Sequence, residues 1–230
     1  AASDVYKRQE GESVISGTVK FKPLTPALNG ITRTPGNAIK SINSLCVLLY
    51  DEEGKLVKKY PLNQASTGTP NEGEYVLSEE ERTDHKTESI GGEDKNLPPA
   101  ESKTPHAEFQ LTVPFGYYYI YAVANMDDLS EYEEAIKTKE GLKSISLEWK
   151  ASEIAANNQM FGFFSDASTD SDAPLLTINQ RAIPLHAWIR RAASKVTIAY
   201  DGSMLHENVY IYLKSVTIKD IPNQCYLGKK

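Results

Sequence analysis

The chain is poor in the residues that do metal, redox or nucleophilic chemistry. Its 230 residues include two cysteines and four histidines. Cys46 and Cys225 lie far apart and form neither a disulfide framework nor a zinc-ligand spacing. Cys46 stands inside the apolar run LCVLLY and is expected to behave as a small buried hydrophobe, whereas Cys225 follows a turn at Pro222-Asn223. His85, His106, His186 and His206 are scattered, with no second ligand at metal-site spacing, so each reads as a surface or hydrogen-bonded histidine. There is no GxxxxGK phosphate loop, no GxSxG elbow, no HExxH and no paired CxxC. These absences leave no convergent acid, base, nucleophile or metal set, so no catalytic residue, cofactor or metal site is assigned and a non-enzymatic role is expected.

Positive charge is also scarce. Twenty-five Lys and Arg face 31 Asp and Glu, a net charge of -6, which gives no basic patch of the size that phosphate-backbone binding demands. Nucleic acid is not an expected partner. No apolar run approaches the roughly 18–20 residues needed to span a bilayer as a helix. Asp166, Asp170 and Asp172 in SDASTDSDAP come nearest to a cation site, but the spacing lacks the glycine and closing glutamate of a calcium loop and reads as a solvated turn. Glu79, Glu80 and Glu81 likewise read as a solvated face.

The first nine residues, AASDVYKRQ, contain no apolar stretch and so are not a secretory signal. They resemble the in-frame translation of a transposase adapter used in sequencing libraries. They are therefore expected to be unstructured, and compartment must be argued from the rest of the chain.

What is abundant is tyrosine, 13 residues against six Phe and two Trp, set in short alternating runs. Residues 14–24, VISGTVKFKPL, alternate and then meet Pro23, which cannot donate to a ladder; they are expected to form an edge strand that ends early. LCVLLY and KLVKKYPL flank Asp51-Glu52-Glu53-Gly54, a hairpin signal. Residues 63–105 are polar, acidic and rich in Gly, Pro, Ser and Thr around the small island Tyr75, Val76 and Leu77, and read as a long polar loop. FQLTV and YYYIYAVA, either side of Pro114-Phe115-Gly116, predict a second hairpin at the sheet's centre. Leu129, Tyr132 and Ile136 fall at helical spacing after Asp127 and Asp128, which predicts one or two short helices. QMFGFFSD, PLLTI, IPLHAWIRRAASKVTIAY and NVYIYLKSVTIKDI predict further strands, and the whole a mainly antiparallel β-sandwich. In Tyr117, Tyr118 and Tyr119 the middle ring must face opposite to its neighbours, so packing is favoured over a carbohydrate platform.

Read in order, TRTPGNAIKSINSLCVLLYDEEGKLV, FQLTVPFGYYYIYAVANM, QMFGFFSD, IPLHAWIRRAASKVTIAY and VYIYLKSVTIKDIP resemble the fimbrillin family, subunits of type V pili of anaerobic Gram-negative bacteria. No single motif is specific; the order of five is. The resemblance implies transthyretin-like antiparallel β-sandwich domains, the first over residues 10–172 and the start of a second over 173–230, exposing apolar surface where it is incomplete. It implies export through the periplasm as a lipoprotein, a place in a fimbria at the outer membrane and a role in adhesion. Assembly in the family uses an arginine-specific protease that removes the first strand, and a neighbouring subunit that inserts its own. Carried onto this sequence, the cut is expected at Arg33-Thr34, with the proline second after it, and the removable strand carries Val14, Ile15, Val19, Phe21 and Leu24. A surface lipoprotein binding glycans through exposed aromatics is the alternative from another class.

Overall fold

Inward-facing alternation on short strands organises the chain into one curved sheet. The computed structural model describes residues 11–21, 41–66, 68–81, 103–148, 158–165, 171–192, 205–206, 208–210, 212–219 and 224–229. The strands of the large sheet are β1 (Glu12–Phe21), β2 (Leu45–Tyr50), β3 (Leu56–Gln64), β4 (Glu74–Glu81), β5 (Lys103–Pro114), β6 (Gly116–Ala124), β8 (Met160–Phe164), β9 (Leu176–Ile178) and β10 (Ala182–Arg191). A separate pair joins β7 (Ser146–Leu147) to β11 (Cys225–Tyr226). The order is β2-β3-β4-β5-β1-β10-β8-β6-β9, and β6 also pairs with β2, so the sheet closes on itself like a barrel.

Mainly β structure with short helices was expected and is found, with nine of the described strands joined in one barrel-like sheet. Closure follows from β6, which pairs with β2 along Tyr119 to Ala124 and with β8 and β9 on its other flank. Two pairings, β1 with β10 and β3 with β4, are parallel.

Parity along the two central strands sets up two cores. In β2, Leu45, Val47 and Leu49 face the barrel interior, while Cys46, Leu48 and Tyr50 face outward into a second apolar cluster. In β6, Tyr118, Ile120, Ala122 and Ala124 face inward, and Tyr121 and Val123 outward. A strand buried on both faces reads as a continuous apolar run, which is why LCVLLY shows no alternation. The outer cluster is covered by two 3-10 turns (Ser130–Tyr132 and Ala135–Lys137), helix α1 (Lys139–Lys143) and Leu227. Leu129 and Ile136, placed by helical spacing, are both buried there. Tyr50 donates its hydroxyl to the carbonyl of Ile136 at 2.9 Å, tying this layer to the sheet. Thr138 caps α1 by accepting from the N–H of Gly141 at 3.1 Å.

The β2–β3 hairpin turns where expected: Gly54 takes φ +77°, which a side chain resists, and its N–H donates to the carbonyl of Asp51 at 2.9 Å. Asn125 ends β6 at φ 62°. Its side chain donates to the carbonyls of Ser41 and Asn158, each at 2.9 Å, and accepts from the N–H of Asn43 at 2.7 Å, so one amide holds three segments together.

Three expectations are corrected. Pro114-Phe115-Gly116 is not a hairpin turn: β5 pairs with β1 and β4, and β6 with β2, β8 and β9, because the chain crosses between regions of the sheet there. The stretch 63–105 is not all loop, since β4 pairs with β5 and buries Tyr75 completely. On the C-terminal side of the boundary expected between residues 172 and 173, β9 pairs with β6, and β10 with β1 and β8. The described residues of NVYIYLKSVTIKDI form no strand, and Tyr210, Tyr212, Leu213 and Ile218 stand exposed.

The buried tyrosines make alkaline stability a readout of this packing. Burial pushes the hydroxyls of Tyr50 and Tyr121 well above the ordinary value and that of Tyr60 up to about 12. A raised folded-state value means the unfolded chain loses protons first, so stability is complete below pH ~10 and declines above it. Each fully buried ring is expected to remove roughly 1.4 kcal/mol per pH unit there. Exposed tyrosines such as Tyr210 and Tyr212 should ionise first, and the further tyrosinate absorbance of the buried rings should rise together with loss of circular dichroism; ionisation of all tyrosines with the fold intact would contradict the packing.

Candidate functional site

Among the described residues no group of three His, Cys, Asp or Glu is placed to hold a metal ion, and the feature that stands out is how β1 is held. It runs antiparallel to β5 from the Glu12–Pro114 pair to the Val19–Ala107 pair, and parallel to β10 from Val14–Ala182 to Phe21–Ile189. Two further backbone bonds fasten its start, Val14 N–H to the carbonyl of Arg181 and Phe115 N–H to the carbonyl of Gly11, both at 2.9 Å. The edge strand expected here is thus an interior one, because its non-local partner β10 supplies the second ladder.

Its side chains alternate strictly. Ser13, Ile15, Gly17 and Val19 are buried, while Glu12, Val14 and Ser16 are exposed. The walls of the slot present Ala107, Phe109, Leu111 and Val113 from β5, and Leu185, Ala187 and Ile189 from β10, all buried. Of the residues expected on the removable strand, Ile15 and Val19 fill the interior and Phe21 packs partly against it. Val14, on the same strand, is 42% exposed, since neighbours on a strand face opposite sides. Leu24, Arg33 and Thr34 lie outside the described residues. Ser13 and Gly17 belong to the inward set and were missed, although the alternation S-x-I-x-G-x-V carries both.

No family model and no curated protein sequence matches the chain. Among solved structures, a fimbrial assembly protein from Parabacteroides distasonis is similar at 12% identity and a TM-score of 0.40, over 80% of this chain and 53% of that one. The C-terminally truncated tip fimbrial protein Mfa3 from Porphyromonas gingivalis is similar at 11% identity and a TM-score of 0.39, over 76% and 48%. This chain spans about half the length of each. Likeness this distant assigns neither family nor function.

The remaining candidates are placed as follows. His106 is buried, with Nε2 at 3.0 Å from Glu108 Oε1, and His186 and His206 are exposed; His85 lies outside the described residues. Asp172 does not face a cation site: its Oδ2 accepts from Lys143 Nζ at 2.8 Å. Partial burial raises the Asp172 carboxyl, but the hydrogen bond and charge of Lys143 outweigh it and hold the group below the usual carboxylate range. Asp166 and Asp170 lie outside the described residues, among which no group of three His, Cys, Asp or Glu is placed to hold a metal ion. Cys46 and Cys225 are both free, and burial pushes the Cys46 thiol up to about 12. The Tyr117–Tyr119 run offers no stacking platform: Tyr117 is exposed, Tyr118 is in the core, and Lys139 Nζ sits 3.5 Å above the Tyr119 ring.

The slot makes two opposite demands on β1, which mutation can separate. Ile15→Ala removes a core-filling side chain and is expected to cost about 2–4 kcal/mol. The Ser13 hydroxyl is buried with no hydrogen-bond partner among the described residues, so Ser13→Ala is expected to leave stability unchanged or raise it by up to about 1 kcal/mol. Denaturant melts of both variants test the assignment; a large loss from Ser13→Ala would contradict it.

Proposed function

We propose that this chain is a structural or accessory subunit of a cell-surface fimbria, assembled by exchange of its first strand. The observation that carries the reading is the place of β1, which bridges β5 and β10 and is joined to the rest of the fold through residues 22–40, the stretch that holds Arg33. An arginine-specific protease cutting at Arg33-Thr34 leaves β1 held by hydrogen bonds and side-chain packing alone. Its departure uncovers two facing rows of unpaired N–H and C=O groups over an apolar floor. Such a groove is an adhesive edge twice over and is satisfied by an extended segment of another subunit, with backbone bonds supplying affinity and alternate side chains supplying selectivity.

On this reading the subunit is exported through the periplasm as a lipoprotein, ends in a fimbria at the outer membrane, supports adhesion and carries no enzymatic activity. The slot needs no catalytic group, because all of its recognition is backbone pairing and burial.

Digestion of the folded full chain with an arginine-specific protease tests the proposal. The expected first cut is after Arg33, with the released strand segment staying bound until a labelled peptide of residues 11–24 replaces it. A folded chain that is never cut after Arg33, or a cut chain that takes up no labelled strand, would overturn it.

A further inference from the structure

Gly17 lies at the centre of β1, directly opposite Phe109 of β5 in the antiparallel ladder and Leu185 of β10 in the parallel one. The Phe109 ring leans across it, so that a Cβ built on Gly17 would fall within the ring, against Cζ, Cε1 and Cε2. The ring has little room to yield. It is 2% exposed, and it meets Phe164 of β8 edge to face, with centroids 5.9 Å apart and planes at 86°. On the far side of β5, Phe109 is also the ladder partner of the fully buried Tyr75. Two residues either side of Gly17, Ile15 and Val19 fill the interior.

We infer that the slot between β5 and β10 selects the strand it accepts by a steric key: the residue opposite Phe109 must be glycine, with a branched aliphatic two positions before and two after. This rests on the strand-exchange reading and adds the chemistry of the partner, an extended segment of pattern aliphatic-x-Gly-x-aliphatic.

The key solves a problem that alternation leaves open. Slipping a strand by one residue turns its apolar face outward and is rejected by burial. Slipping it by two keeps every face correct, so polarity alone does not reject it. In this slot a two-residue slip brings Ile15 or Val19 against the Phe109 ring, where even a methyl group does not fit. Alternation therefore rejects odd slips and the Gly17–Phe109 contact rejects even ones, leaving a single register.

The key is first tested within the full chain. In an ordinary strand, replacing glycine by alanine stabilises, because glycine loses more conformational freedom on folding. Here Gly17→Ala is expected to lower the melting temperature by roughly 3–10 °C. In the backgrounds Phe109→Ala and Phe109→Leu, which shrink the ring's place, the same substitution is expected to cost nothing further or to stabilise. The Phe109→Leu background keeps the comparison available should Phe109→Ala fail to fold. A melting temperature unchanged or raised by Gly17→Ala in the native background would overturn the key.

The second arm uses protein cut after Arg33 and labelled peptides of residues 11–24 carrying either glycine or alanine at position 17. The glycine peptide is expected to be taken up, and the alanine peptide to bind roughly 10–100-fold more weakly. Equal binding of the two overturns the key while leaving strand exchange standing. Uptake of neither overturns strand exchange, and the key is then decided by the melting temperatures.

Discussion

The fold depends on β1 lying between β5 and β10. The β6–β2 pairing closes the sheet, and β1 lies within it with both flanks paired to segments distant in sequence, β5 antiparallel and β10 parallel. Remove it and two edges appear at once, together with the floor formed by Phe109, Leu111, Ala187 and Ile189. The cost of an empty slot is therefore both apolar and hydrogen-bonding in kind, and the proposed replacement strand would offset both.

On the proposed strand-exchange reading, the part of the sheet that must persist is the β2–β6 pair. β2 and β6 pair with each other and are buried on both faces, by the barrel interior and by the outer layer of 3-10 turns and α1. Tyr121 stacks on Phe161 at 5.5 Å and meets Tyr50 edge on at 5.7 Å, and Tyr50 in turn bonds the Ile136 carbonyl. The β2–β6 pair is thus covered on both faces, at a place in the sheet where β1 is not a neighbour.

Much of this was legible where the determining interactions are local. Asp51 to Gly54 announced a turn because glycine at φ +77° is a local requirement, and the alternation of β1 announced one buried face. Non-local pairing was not legible. Pro114-Phe115-Gly116 carries the signals of a hairpin, yet its strands pair elsewhere, and nothing in either strand records that. EYVLSEEE reads as polar loop until β5 is beside it to bury Tyr75. NVYIYLKSVTI shows the reverse case, a strand pattern whose described residues have no pairing partner and form no strand. Gly17 illustrates the same limit at the site. In sequence it is a residue that weakens a strand; opposite Phe109 it is the residue that the strand requires.

The central claim is that β1 can leave without the rest unfolding, and native-state hydrogen exchange of the intact chain tests it most directly. The account predicts that the β1 amides, with their partners on β5 and β10, exchange through a shared opening of lower free energy than that of the β2 and β6 amides. Exchange of β1, β2 and β6 amides at one common free energy, reached only by global unfolding, would contradict it.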